Sequence, residues 1–124
     1  MFRLTMIKDY LNEILDGAKT FDAISYPTNK RGLIALIDSR SMKIHGTIEL
    51  VGCQEISAEE YCSWHQTGRF QNYRFEVEDK DKKYYSYDFK NPKKLVKPIK
   101  VEAEKYTWVE VPDDVELYYE NTLF

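Results

Sequence analysis

Much of what this chain lacks narrows what it can do. It has only five glycines, and they are scattered, so no glycine-rich loop is present to cradle a phosphate. It has two cysteines, Cys53 and Cys62. They form neither a disulfide framework nor a Cys-x-x-Cys pair, and they read as reduced thiols. Cys62 and His65 stand three apart, with His45 and Cys53 upstream. No His pair has ligand spacing, so no metal and no cofactor is expected. No Gly-x-Ser-x-Gly elbow occurs. No apolar run approaches the length of a membrane span, and no membrane association is expected. Met1-Phe2-Arg3-Leu4 does not lead into an apolar signal core, which points to a cytoplasmic protein. The formal net charge is -3, so no global attraction to nucleic acid is implied.

Aromatic side chains are abundant, with ten tyrosines, six phenylalanines and two tryptophans in 124 residues. That is ample for the core of a single domain spanning 1–124. Charge is unevenly placed. Residues 79–100 carry eight lysines against three aspartates, whereas 101–124 carry seven acids against one lysine. The two segments read either as surfaces that attract each other or as a basic face for phosphates with an acidic face turned away.

Ile7, Leu11, Ile14 and Leu15 share one face of a helix that Gly17 closes. A strand follows over Phe21 to Tyr26. Leu33-Ile34-Ala35-Leu36-Ile37 is a continuous apolar run suited to a strand covered on both faces. Lys43 to Val51 predicts another strand, with Ile44, Gly46, Ile48 and Leu50 on one face and Gly46 a candidate bulge. Ser57 and Glu60 have capping-box spacing for a helix that runs to about Gln66. Extended segments are expected at Phe70 to Val77, at Tyr84 to Phe89 ended by Asn91-Pro92, at Leu95 to Val101 as an edge strand, and at Tyr106 to Val111. The tail from 112 to 124 is left unassigned. Two short helices and about six short strands suggest an α+β, β-rich domain, a small β-barrel with helices over its openings.

The candidate chemistry gathers where the first helix turns into a strand. Lys19, Thr20 and Asp22 bring an ammonium, a hydroxyl and a carboxylate within four positions. Such a set can hold a polar ligand, or lysine can act as a base with the carboxylate as its partner. In a regular strand Lys19 and Asp22 point to opposite faces, so they converge only if Lys19 lies in the turn. Ser25, Tyr26, Lys30 and Arg31 follow nearby. Tyr87 reads equally as core packing or as a ring for stacking a base. Trp64 reads better as core.

The helix, then Gly17-x-Lys19-Thr20-x-Asp22, then Lys30-Arg31-Gly32 before the apolar strand, together resemble the signature of ASCH domains. Tyr87-x-Phe89-x-Asn91, with Leu95 and Pro98-Ile99, resembles that family's closing strand block. The likeness covers about residues 4–111. It implies a PUA-like β-barrel with a cleft at one mouth that binds RNA, a nucleotide or a nucleoside. On that basis Lys19, Thr20, Asp22, Ser25, Tyr26, Lys30 and Arg31 line one side, with Tyr87 as a stacking ring. Some members are similar to hydrolases of acylated cytidines or of RNA, which gives Lys19, Thr20 and Asp22 as the alternative catalytic set. In those hydrolases a threonine stands where this chain has Asp22, and the matching glutamate is sought at Glu49. The family's usual arginine is replaced by Ile24. Both departures weigh against amidohydrolase activity. A protein-interaction module is the third reading.

Overall fold

The computed structural model describes residues 1–24, 26–65, 83–103, 110–112 and 115–120, with the side chains of 62–65 left out. The elements are β1 (Phe2–Met6), α1 (Lys8–Leu15), β2 (Phe21–Ile24), β3 (Gly32–Asp38), β4 (Lys43–Ile56), α2 (Ala58–His65) and β5 (Tyr84–Lys100). The segments expected to be extended at 70–77 and 106–109 lie outside the described residues. All five strands join one sheet in the order β1-β3-β4-β5-β2, with β1 parallel to β3 and the other pairs antiparallel. The sheet curls into a half-barrel. No helix among the described residues is long and apolar enough to cross a membrane.

The core has two sides because β3 has two apolar faces. Ile34 and Leu36 pack with Leu4, Met6, Ile48, Leu50, Tyr87 and Phe89, and α1 covers this side with Leu11, Ile14 and Leu15. Ala35 and Ile37 pack on the other side with Ile44, Leu95 and Val111. Four of the five residues of this apolar run, Ile34 to Ile37, are fully buried, whereas Leu33 is exposed. Burial of a side chain of this kind contributes roughly 1.5–3 kcal/mol, which is why a continuous apolar run settles at the middle of the sheet.

α1 begins one residue later than expected. Ile7 takes the N-cap position with extended dihedrals, and its side chain is 48% exposed. The buried stripe is therefore Leu11, Ile14 and Leu15. Gly17 closes the helix at φ +78, a conformation a side chain would strain, and donates its N–H to Ile14 O at 3.1 Å. The capping box at α2 is present as read. Glu60 N–H donates to Ser57 Oγ at 3.1 Å and Ser57 N–H reaches Glu60 Oε1 at 3.5 Å.

Curvature comes from bulges in β4 and β5. The register shifts between Ile44 and Gly46, between Thr47 and Glu49, and between Leu50 and Gly52. The first shift corrects the expectation that Ile44 shares a face with Ile48 and Leu50. His45 is the extra residue, so Ile44 points to the opposite side of the sheet. A Cβ on Gly46 would lie 2.6 Å from Leu15 Cδ2 and against the Lys93 carbonyl. The glycine therefore lets α1 and β5 approach the sheet. The strand also does not end at Asn91-Pro92. It runs on to Lys100, because Asn91 takes φ 55 inside the second bulge, where Pro92 has no ladder N–H to supply.

The tail packs rather than trails. Val96 N–H donates to Tyr118 O, and Glu120 N–H to Lys94 O, both at 2.8 Å. Val115, Leu117 and Tyr119 lie against the second core cluster. Lys93 stands over the Tyr119 ring at 5.6 Å. Residues 118–120 of the acidic segment thus lie along Lys94–Val96 of the basic one.

Candidate functional site

The turn between α1 and β2 is held at three points. Gly17 closes the helix, Lys19 N–H donates to Glu13 O at 3.1 Å, and Thr20 O accepts the Phe89 N–H at 2.8 Å. Lys19 therefore lies in the turn and not in the strand, which is the condition for it to approach Asp22. Its side chain is only 8% exposed and its Nζ sits 5.3 Å from the Tyr10 ring centroid and 5.4 Å from that of Phe21. A lysine ammonium over an aromatic face is attracted by the ring quadrupole, which offsets part of the water it loses.

Asp22 is 7% exposed and lies opposite Tyr87 in the β2–β5 ladder. Burial pushes its carboxyl from 3.8 up to about 6, while the Lys19 charge and the Ala23 N–H pull it back down. A group near 6 can be protonated or ionised under mild conditions. Thr20 does not share this buried face. It is exposed, and with Lys19, Gly17, Lys90, Asn91 and Pro92 it lines a hollow of about 300 Å³ beside Phe89.

Tyr87 is fully buried, its ring belonging to the core beneath α1. Its hydroxyl donates to Tyr26 O at 2.7 Å, and its ring meets Tyr26 edge to face at 6.2 Å. Burial raises its pKa far above the usual range, and nearby Tyr26, Cys53 and Asp22 add to the rise. This corrects the expectation that Tyr87 serves as a stacking ring: neither face is open to a base. Tyr26, at 37% exposed, is the accessible ring of the pair.

Lys30 and Arg31 lie further off. Lys30 Nζ stands 4.6 Å from the Phe2 ring centroid, and Lys30 borders a separate depression of about 420 Å³ with Pro27, Thr28 and Asn29. Arg31 Nη1 donates to Lys30 O at 2.6 Å and to Thr28 O at 3.2 Å, so its guanidinium is folded onto its own loop. Ser25 lies outside the described residues, as do the side chains of Cys62, Trp64 and His65. Glu49 points away from Asp22, because Ile48 and Leu50 beside it face the α1 side, and it accepts a hydrogen bond from Asn91 Nδ2.

Two residues near the turn were not singled out from sequence. Glu13 is buried on α1, one position before Ile14, and its carbonyl anchors Lys19. Tyr10 supplies the ring beneath the lysine. The available signal was a charged residue set against a buried helical stripe, with Tyr10 three positions earlier on the same side. Among the described residues no cluster of His, Cys, Asp and Glu is arranged to hold a metal.

No family model matches the sequence, and no curated protein matches it. Solved structures do. The crystal structure of ASCH from Zymomonas mobilis superposes with a TM-score of 0.63 at 13% identity, covering 88% of this chain and 87% of that one. Two single-substitution variants of the same protein match at a TM-score of 0.63 and 14% identity, each covering 88% of this chain, and 89% and 87% of their own. The chain has the ASCH fold. The fold read from the turn motif and the closing block is the fold observed. Within this ASCH fold, Lys19 in the α1–β2 turn and Asp22 in the edge strand β2 are both buried.

Proposed function

We propose that this ASCH-fold chain binds RNA or a nucleotide at the α1–β2 turn. The observation that carries the reading is a buried ammonium and a buried carboxyl, Lys19 and Asp22, next to a hollow that Lys19 and exposed Thr20 line together. Lysine is a phosphate or carbonyl partner. Threonine and a carboxyl give directed hydrogen bonds, and the exposed ring of Tyr26 offers a stacking surface. Lys30 stands in the β2–β3 loop, four residues after Tyr26, and borders the separate depression there. The likeness to ASCH domains supports an RNA or nucleotide ligand over other polar ligands.

A second reading rests on Asp22. A carboxyl poised near 6 beside a lysine suits proton transfer, so the same turn would serve a hydrolase of acylated cytidines or of RNA. Incubation with acylated cytidines and with short RNAs separates the two. Saturable binding without product, weakened in Lys19→Ala, supports the binding reading. Turnover lost in both Lys19→Ala and Asp22→Ala supports the hydrolase. Neither binding nor turnover at low salt, where phosphate contacts are strongest, rejects both and favours a protein-interaction module.

A further inference from the structure

We propose that the β3–β4 turn carries a phosphate-binding site of its own, separate from the Lys19 hollow. A depression of about 370 Å³ opens between the start of α1 and the end of β3, lined by Lys8, Asp9, Asp38, Ser39 and Arg40. Two more cations converge on this turn. Lys43 stands directly opposite Lys100 in the β4–β5 ladder, and Lys100 Nζ donates to Ser41 O at 2.7 Å. Like charges paired across a ladder oppose folding. Keeping them there is unhelpful unless an anion offsets them.

Within the depression Lys8 and Arg40 balance Asp9 and Asp38. With Lys43 and Lys100 beside it, these described residues bring the turn to +2, on a chain whose net charge is -3. Asp38 is already engaged in shaping the turn. It accepts from Arg40 N–H at 3.2 Å, from Ser41 N–H at 3.4 Å and from Ser41 Oγ at 2.8 Å.

His45, the bulge residue, adds an independent observation. Its Nε2 is buried and has no hydrogen-bond partner among the described residues. Burial holds its pKa below the ordinary value, Lys8 and Lys43 hold it lower still, and Asp38 opposes them. His45 follows the Ile44 that pairs with Ile37 at the end of β3, and stands two residues after Lys43, which places it between the depression and the ladder pair along the chain. A phosphate offers several charged oxygens. It can be met at once by the Arg40 guanidinium, the Lys8 ammonium and the Ser39 hydroxyl, and its charge would draw a proton onto His45.

The test is a titration of ¹⁵N-labelled protein with inorganic phosphate against chloride at equal ionic strength, repeated with a short 5′-phosphorylated single-stranded RNA. Saturable shifts at Ser39, Arg40, Ser41, Met42 and His45 are expected. Affinity should fall by about tenfold or more in an Arg40→Gln, Lys43→Gln double variant, the scale of losing charged contacts. The affinity for inorganic phosphate, read at these amides, should be unchanged in Lys19→Ala, so this site and the Lys19 reading fail separately. In the Lys19→Ala background, tighter binding of the RNA read at these amides assigns the phosphate to nucleic acid, and binding of inorganic phosphate alone assigns it to a free phosphate group. Both partners in the double variant are surface groups, and its melting temperature in chloride should not drop. If it does, Lys8→Gln replaces it. Absence of saturable shifts with either probe, or equal affinity in the charge-depleted variants, overturns the proposal.

Discussion

Replacing Asp22 by Asn should make the protein more stable at neutral pH, not less. The carboxyl rises from 3.8 in an open chain to about 6 in the folded one, chiefly through burial. Each tenfold change in acidity is worth about 1.36 kcal/mol, so ionised Asp22 costs the fold on the order of 3 kcal/mol at pH 7. The direction follows from proton uptake. A group whose pKa is higher in the folded state adds stability that is complete below 3.8 and is lost as pH climbs through about 6. An asparagine mimics the protonated form at every pH and can still accept from the Ala23 N–H. Urea denaturation from pH 4 to pH 8 should therefore show the two proteins nearly equal at pH 4. The variant should lead by roughly 2–3 kcal/mol at pH 7, less whatever is lost when Lys19 is left without its counter-charge. Lys19→Met should move the wild-type transition above pH 6, because it removes the charge that now holds Asp22 down. A variant that is less stable at pH 7, by the same margin as at pH 4, would refute the claim that Asp22 is held at a cost. Such a cost at a candidate site is what a functional carboxyl, rather than a structural one, leads one to expect.

Three further outcomes test the frame around that site. Gly46→Ala should lower stability by about 1–3 kcal/mol in chemical denaturation, since its methyl meets the Lys93 carbonyl and Leu15; a neutral change would show that α1 is not seated as described. Tyr87→Phe should cost about 1 kcal/mol, because the Tyr26 carbonyl loses a 2.7 Å hydrogen bond, and it should leave ligand affinity within a few-fold. Ser57→Ala should cost about 1 kcal/mol through loss of the α2 cap, and Ser57→Asp should restore it.

What was legible from residues alone was whatever depends on near neighbours. The β3 run is apolar without interruption, and only a strand covered twice has use for that. Ser57 and Glu60 cap α2 through bonds made within four residues. Tyr85, Tyr87 and Phe89 alternate as read, and all three turn toward the α1 side. What was not legible depends on partners far along the chain. The bulge at His45 exists because β3 and β5 demand it, so Ile44 changes sides without any local mark. Asn91-Pro92 looks like a strand end until β4 supplies a partner beyond it. β1 was not expected, because Phe2 to Met6 carries only a short alternation. The tail gave no periodic signal, yet Tyr118 and Glu120 pair with β5.

At the site, strand geometry gave the condition that Lys19 must lie in the turn to approach Asp22, and it did not say whether Lys19 does. The depth of Tyr87 was not legible either, since the same alternating pattern serves a packed ring and a stacking one. Arg31 was expected to reach the ligand. Nothing in Lys30-Arg31-Gly32 reveals that its guanidinium folds onto the carbonyls of Thr28 and Lys30.

The most direct measurement is a titration of ¹⁵N-labelled protein with a short unphosphorylated single-stranded RNA at low salt, comparing wild type with Lys19→Ala. The account predicts saturable amide shifts over residues 17–22 and 89–91 that the substitution weakens by tenfold or more. Absence of shifts at that turn, or identical affinity once the ammonium is gone, would contradict it.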